Sequence, residues 1–284
     1  MTKGPPRIFD RQALRLHGER ARRIAGNTFL VRDAAQGMAE RLTAVQRTFE
    51  AALELNRTNV TTTFLQPLAR TWSQKTLDGE DLNAGREQFD LIVSVLSLHS
   101  VNDLPGVLLQ LRQALKPDGL FLATLFGGNT LFELRDAFGT AELATLGGVS
   151  PRVAPFADVR DLGGLLQRAG FALPVADVEK TIVRYRDLRT LVADLRAMGE
   201  TNALSERSRK PLSRDTVEAA SAQYAAHHAD PDGKLRASFD VVYLTGWAPH
   251  ASQPQPLRPG SATSRLAQAL KTTEHSAGER TPKR

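Results

Sequence analysis

Phe89-Asp90-Leu91-Ile92-Val93-Ser94-Val95 is a nearly continuous apolar stretch, partly β-branched, with no polar face. A strand of that kind is expected to be buried on both sides, as in a parallel sheet. Leu104, Val107, Leu108, Leu111 and Leu115 follow at helical spacing. Asn102 or Asp103 suits the cap of that helix, and Pro105 suits its first turn. Lys116-Pro117-Asp118-Gly119 reads as a tight turn that stops it, and Leu120 to Leu125 as a second buried strand. Strand, helix, turn and strand make a βαβ unit, so the sequence predicts an α/β sheet with helices on both faces.

Working outward, Ile8 to Arg47 reads as amphipathic helix with Arg on many outer positions, broken at Gly26-Asn27. An Arg-rich amphipathic start is also the pattern of a mitochondrial transit peptide; Asp10 and Glu19 favour an ordinary surface helix. Ala51 to Leu55 is short enough and apolar enough for a strand, and residues 56–88 are polar without a readable period. Downstream, Leu131–Phe138, Asp158–Ala169 and Leu188–Met198 read as helices, and Phe239–Trp247 as a late β-rich strand.

The chain has 284 residues, 41% hydrophobic and 24% charged, as in a folded globular protein. It holds no cysteine, which excludes disulfides, thiolate metal sites and cysteine nucleophiles. No run of 18 apolar residues is present, so no transmembrane helix is expected, and the N-terminus lacks the apolar core of a secretory signal. The net charge of +6 resides in the ends: residues 1–25 carry +5, residues 251–284 carry +4, and the rest sums to −3. A nucleic-acid-binding domain concentrates charge on a folded face instead, so no specific nucleic-acid partner is expected.

The block from Phe89 to Leu125, FDLIVSVLSLHSV followed by LKPDGLF, resembles the second half of a class I S-adenosylmethionine-dependent methyltransferase. The LKPDG turn is shared with the group of the biotin-synthesis malonyl-carrier-protein methyltransferase. IFDRQALRLH (8–17), SLHSVNDLPG (97–106), GGVSPRVAPFADVRDLGGLLQRAGFALPVAD (147–177), DLRAMGETNAL (194–204), FDVVYLTGWAPH (239–250) and PLRPGS (256–261) resemble one subfamily. That subfamily comprises alphaproteobacterial proteins and the mitochondrial methyltransferase-like assembly factor of respiratory complex I, assigned as an arginine hydroxylase. The resemblance spans residues 8–50 and 78–270. It implies a Rossmann-like class I methyltransferase sheet, S-adenosylmethionine as cofactor, and a protein substrate or complex I subunit as partner. It also implies residence in a bacterial cytoplasm or, for a eukaryotic chain, the mitochondrial matrix. The expected layout is a helical segment over 1–47, a methyltransferase-like domain over 48–250 with helical insertions at about 127–235, and a basic, flexible tail over 251–284.

One part of the family pattern is missing. The first strand of a class I methyltransferase ends in a carboxylate and a Gly-rich loop, whose glycines supply positive φ and let the cofactor approach the backbone. The matching residues read Leu53-Glu54-Leu55-Asn56-Arg57-Thr58-Asn59-Val60, with no glycine. Glu54 replaces the acidic residue, and Asn56 and Asn59 tolerate left-handed geometry. The short span from Leu55 to Asp78 implies that the first half of the sheet is shortened, with a helix and a strand reduced or lost.

Carried over by resemblance, the cofactor-binding residues are Glu54, Asn56, Asp78, Leu82, Ser94 and Leu98. Asp78 would accept from the adenine amine and Leu82 would pack the ring. His99 is the candidate catalytic residue, as substrate contact or general base. The family usually has Trp after this histidine, where the sequence has Ser100. No metal site is expected: His227-His228 with Asp230 and Asp232 could suggest one, but adjacent histidines on a helix point in different directions and do not share an ion. Arg152, Arg160, Arg196, Asn202 and Arg207 are candidates for a substrate groove or for surface ion pairs. Two functional readings stay open. One is an enzyme that uses S-adenosylmethionine. The other is a cofactor-free methyltransferase-fold protein acting as a binding or assembly factor. A local frameshift within residues 56–77 would leave the same sequence signature.

Overall fold

The computed structural model describes residues 7–24, 28–56, 62–77, 80–254 and 266–273. The chain divides into two units, Met1–His250 and Ala251–Arg284. In chain order the first unit holds α1 (Arg11–Arg23), α2 (Phe29–Ala44), β1 (Phe49–Leu55), α3 (Thr62–Leu65), β2 (Ala69–Lys75), β3 (Phe89–Val95), α4 (Leu104–Ala114) and β4 (Leu115–Phe126). It continues with α5 (Phe132–Leu146), α6 (Val159–Arg168), β5 (Ala172–Tyr185), α7 (Leu188–Ala197), α8 (Arg214–His228) and β6 (Leu235–Trp247). The second unit holds one short helix, α9 (Leu266–Ala269).

The six strands form one sheet in the order β2-β1-β3-β4-β6-β5. β2, β1, β3 and β4 run parallel, while β6 is antiparallel to both β4 and β5. Alternation along the strands builds two cores, because successive side chains leave opposite faces of the sheet. Leu91, Val93, Leu120, Leu122 and Val241 join α2, α5, α7 and α8 on one face. Ile92, Phe121, Ala123, Val242 and Leu244 join α4 and α6 on the other. The sheet with helices on both faces is therefore present, and β3-α4-β4 is the expected parallel unit. Asp103 rather than Asn102 caps α4, accepting from the Gly106 amide at 2.9 Å.

The N-terminal helical segment is two helices, α1 and α2, as a single break implies, and the breaking pair Gly26-Asn27 lies outside the described residues. Two local readings change. The shortening after β1 falls on the helix, which is the single turn α3 with a 3-10 turn at Gln66–Leu68; β2 survives as a seven-residue strand. β2 is an edge strand with only partial burial, so ARTWSQK carries no apolar run that the sequence could reveal. Pro117-Asp118-Gly119 lies inside β4 as an irregularity of its pairing with β3, with Asp118 at φ 61°. A Cβ on Gly119 would meet the Lys116 carbonyl at 2.9 Å. Arg47 holds the Asp118 carboxylate at 2.9 Å.

Phe121 has no accessible surface and stacks on Phe171 with ring centroids 5.2 Å apart. Phe121→Ala is expected to cost about 3–5 kcal/mol through lost burial and the cavity left behind. The unfolding midpoint in urea reads this directly.

Candidate functional site

In an open α/β sheet, ligands bind beyond the carboxyl ends of the strands where the strand order reverses. Here the reversal lies at β1, with β2 on one side and β3 on the other. Two cavities open near that end of the sheet. The smaller, about 40 Å³, lies between the segments following β2 and β3, Thr76-Leu77 and Ser97–Asn102, and is covered by Arg11, Leu14, Arg15, Gly18 and Arg22 of α1. The larger, about 230 Å³, has apolar walls from Phe9, Leu134, Phe138, Phe156, Val192 and Leu195. Leu14 and Ser100 line both cavities, so a thin partition separates them.

His99 lies in a 3-10 turn just after β3, and its side chain is 3% exposed in the wall of the larger cavity. Its Nε2 is 2.9 Å from Oε2 of Glu200, and its ring lies 4.9 Å from Phe126 and 5.7 Å from Phe156. Its Nδ1 is buried with no hydrogen-bond partner. In the tautomer that donates from Nε2, this Nδ1 is a bare acceptor, the state that a general base requires. Glu200 owes its place to the end of α7. Gly199 adopts φ 79°, and the Glu200 amide donates back to the Leu195 carbonyl while Gly199 donates to Arg196. That is the Schellman stop, which fixes the residue after the glycine.

Arg152 also lines this cavity, but its guanidinium is bound to Glu142, which has no accessible surface and accepts as well from the Ser150 amide at 2.7 Å. The N-terminal strap closes one side of the site. Phe9 bridges to Leu204, the Asp10 amide donates to Ala203, and Asn102 exchanges two hydrogen bonds with the Phe9 backbone. Asp10 pairs with Arg207 at 2.9 Å.

Along β1, Glu54 is buried and accepts from Gln74 at 2.9 Å. Asn56, just past the strand, is buried with its Nδ2 unpartnered. Leu82 is buried, its amide held by Gln110 at 2.8 Å. Asp78 and the loop residues 57–61 lie outside the described residues. Ser94 and Leu98 both have no accessible surface, and the Ser94 Oγ, like the Asn56 Nδ2, is buried without a hydrogen-bond partner. The two-residue period of β3 puts Ser94 on the Ile92 side, against the α4 core, and Leu98 packs in that same core. The four residues 227, 228, 230 and 232 make no metal cluster among the described residues. His228 binds Asp136 at 2.8 Å, and Asp230 and Asp232 hold Arg184.

A family model described as a methyltransferase domain matches residues 29–174. The zebrafish (Danio rerio) protein named arginine-hydroxylase NDUFAF5, mitochondrial, is 35% identical over 93% of this chain and 90% of its own length. This chain belongs to the methyltransferase-domain family and, within it, to the group of the NDUFAF5 proteins. The Dictyostelium discoideum protein of the same name is 45% identical over 66% of this chain, which spans only 43% of that relative's length. A malonyl-[acyl-carrier protein] O-methyltransferase of Xylella fastidiosa is 39% identical over 61% of this chain and 56% of its own. Among solved structures, the 1,6-didemethyltoxoflavin-N1-methyltransferase of Burkholderia thailandensis, bound to S-adenosylhomocysteine, aligns at a TM-score of 0.46 with 13% identity, over 84% of this chain and 88% of its own.

The crevice can be compared with the family's cofactor. The orphaned Nδ2 of Asn56 at the carboxyl end of β1 fits a ligand acceptor, since buried donors otherwise find partners. The carboxyl end of β2 is basic rather than acidic. It is Lys75, whose ammonium binds the carbonyls of Leu82 and Asn83 at 2.5 and 2.6 Å and so shapes the loop beside it.

Two outcomes follow from the ion pairs. Glu142→Gln strands a guanidinium that is largely buried and is expected to destabilise the protein by about 3–5 kcal/mol, read as a fall in the denaturant midpoint. The Asp10 carboxyl is held below the usual carboxylate range, first by the Ala13 amide and then by Arg207. Its folded value is depressed, so its contribution is full above the unfolded pKa of about 3.9 and is lost as pH falls through the folded value. Amide-exchange protection of the Phe9–Leu204 bridge should therefore weaken on acidification below about pH 4 in the wild type. Asp10→Asn should lower it at neutral pH and flatten its dependence on pH.

Proposed function

We propose that this protein is an enzyme that modifies an arginine side chain of a protein substrate, with S-adenosylmethionine held at the β1/β3 crevice. The observation that carries this reading is the pair of cavities meeting at Leu14 and Ser100, one at the cofactor crevice and one holding His99 and Glu200. Group transfer needs two ligands side by side, and two adjoining cavities are the arrangement from which such a site is built. Glu54, Asn56, Leu82, Ser94 and Leu98 are the described residues assigned to the cofactor, together with Asp78. When bound, S-adenosylmethionine supplies an electrophilic methyl group on sulfur. His99 is assigned to accept a proton at Nδ1, oriented by Glu200 at Nε2. The relatives named arginine-hydroxylase NDUFAF5 support arginine as the substrate type, and the resemblance to the complex I assembly-factor subfamily supports a respiratory complex I subunit as the protein. Their mitochondrial naming supports the matrix or its bacterial counterpart, the cytoplasm. No helix among the described residues is long and apolar enough to cross a membrane.

A second reading, a binding or assembly factor without chemistry, is favoured by the crevice itself. Three arginines of α1 line a cavity of about 40 Å³ where a sulfonium would lie. Calorimetric titration with S-adenosylmethionine and S-adenosylhomocysteine separates the two. The enzyme reading expects micromolar binding, weakened about tenfold by Asn56→Ala through loss of one hydrogen bond to a charged ligand. Absence of binding to either ligand by the folded protein selects the assembly factor. With a bound cofactor, the mass added to a substrate arginine distinguishes a methyl group from a hydroxyl oxygen.

A further inference from the structure

We infer that the larger cavity binds a neutral carboxamide on an apolar body, with Nη1 of Arg152 donating to its carbonyl oxygen. The inference goes beyond the arginine-modifying reading and does not rest on it. A guanidinium carries five N–H donors. In Arg152, Nε donates to Oε1 of Glu142 at 2.7 Å, and Nη2 donates to the same oxygen. Nη1 makes no hydrogen bond among the described residues, and it is not one of the buried atoms left without a partner. The side chain keeps 16% of its surface accessible, and the residue lines the cavity. Nη1 is therefore an open donor rather than a sealed orphan.

Charge decides which acceptor this donor suits. His99, Arg152 and Glu200 are the lining residues that can carry charge. The Arg152 charge is matched by Glu142, and even a charged His99 is offset by Glu200 at 2.9 Å. The wall holds no surplus positive charge, so a carboxylate or phosphate entering from water loses more hydration than it regains. A neutral carbonyl oxygen costs far less to desolvate, and its hydrogen bond to a charged donor is stronger than one to a neutral donor. Leu134, Phe138, Phe156, Val192 and Leu195 wall the remaining space, about 230 Å³ in all, which has room for an aromatic ring on a short chain.

The donor is also fixed in place. Glu142 accepts through its second oxygen from the Ser150 amide at 2.7 Å, and the Ser150 hydroxyl accepts from the Ser208 amide at 3.0 Å. Asn202 donates to the Pro151 carbonyl at 2.8 Å. Residues 150–152 are thus held by three separate bonds, and a ligand does not have to order the guanidinium on binding.

The test uses the full chain without cofactor and probes of one shape: 3-phenylpropanamide, 3-phenylpropanoate and propylbenzene. Calorimetry is expected to give millimolar or tighter binding of the amide and weaker binding of the carboxylate. Arg152→Lys keeps a cation against Glu142 but lacks the second amino group of the fork. It should weaken the amide about tenfold and leave propylbenzene unchanged. In the wild type, the Nη1 resonance of Arg152 should move with the amide and stay with propylbenzene, a readout that needs no variant to fold. A peptide segment and a small molecule can both present a carboxamide, and N-acetylphenylalanine methylamide separates them. It binds more tightly than 3-phenylpropanamide if the natural ligand is a peptide, and more weakly if it is a small molecule. Carboxylate binding as tight as that of the amide overturns the inference, as does no amide binding at millimolar concentration. Equal losses of amide and propylbenzene in Arg152→Lys, or an Arg152 signal unmoved by the amide, also overturn it. No probe carries a guanidinium and no cofactor is added, so failure of the arginine-modifying reading leaves this result untouched.

Discussion

Leu91, Ile92 and Val93 have no accessible surface, because β3 is hydrogen-bonded along both edges and covered on both faces. The rest of the molecule is arranged around that condition. A central parallel strand needs helices above and below it, and the chain supplies α2, α5, α7 and α8 to one side and α4 and α6 to the other. The carboxyl end of such a strand has to emerge between those layers, and the turn that follows it carries His99. The candidate site therefore depends on the same burial that holds the sheet together. A change that loosens β3 reaches the site through the backbone, without touching a residue that lines it.

How far the sequence reveals this depends on which side chains face what. The β3-α4-β4 unit is legible because double burial writes continuous apolar runs. β2 is not, because ARTWSQK is an edge with only partly buried side chains. α8 is similarly quiet: its buried positions are Thr216, Ala220 and Tyr224, so its apolar stripe is mostly small residues. Pro117-Asp118-Gly119 keeps a left-handed turn residue, Asp118, within β4, in the interval where the pairing with β3 shifts register.

The site is legible in the same uneven way. His99 is found from its place after a strand. Its partner is not, since Glu200 lies 101 positions away and only the fold brings them to 2.9 Å. The sequence does contain the signal that places Glu200, a glycine directly after an amphipathic helix, but nothing that links it to His99. Ser94 and Leu98 lie near the carboxyl end of β3 and are fully buried there, Leu98 within the α4 core. Arg152 and Arg207, candidates for a substrate groove, are held by Glu142 and Asp10.

The strap formed by Phe9 and Asp10 also sets an order of events. Phe9 meets Asn102 across 93 positions, and Asp10 meets Arg207 across 197. During synthesis the amino-terminal segment emerges first, yet it has no place to dock until most of the chain has followed. Contacts of such separation form late, after the loop between them has been closed. The larger cavity, walled in part by Phe9, therefore cannot be closed by the strap before Leu204 has been made. A nascent or truncated chain ending before residue 203 would hold the complete parallel strands but an open site.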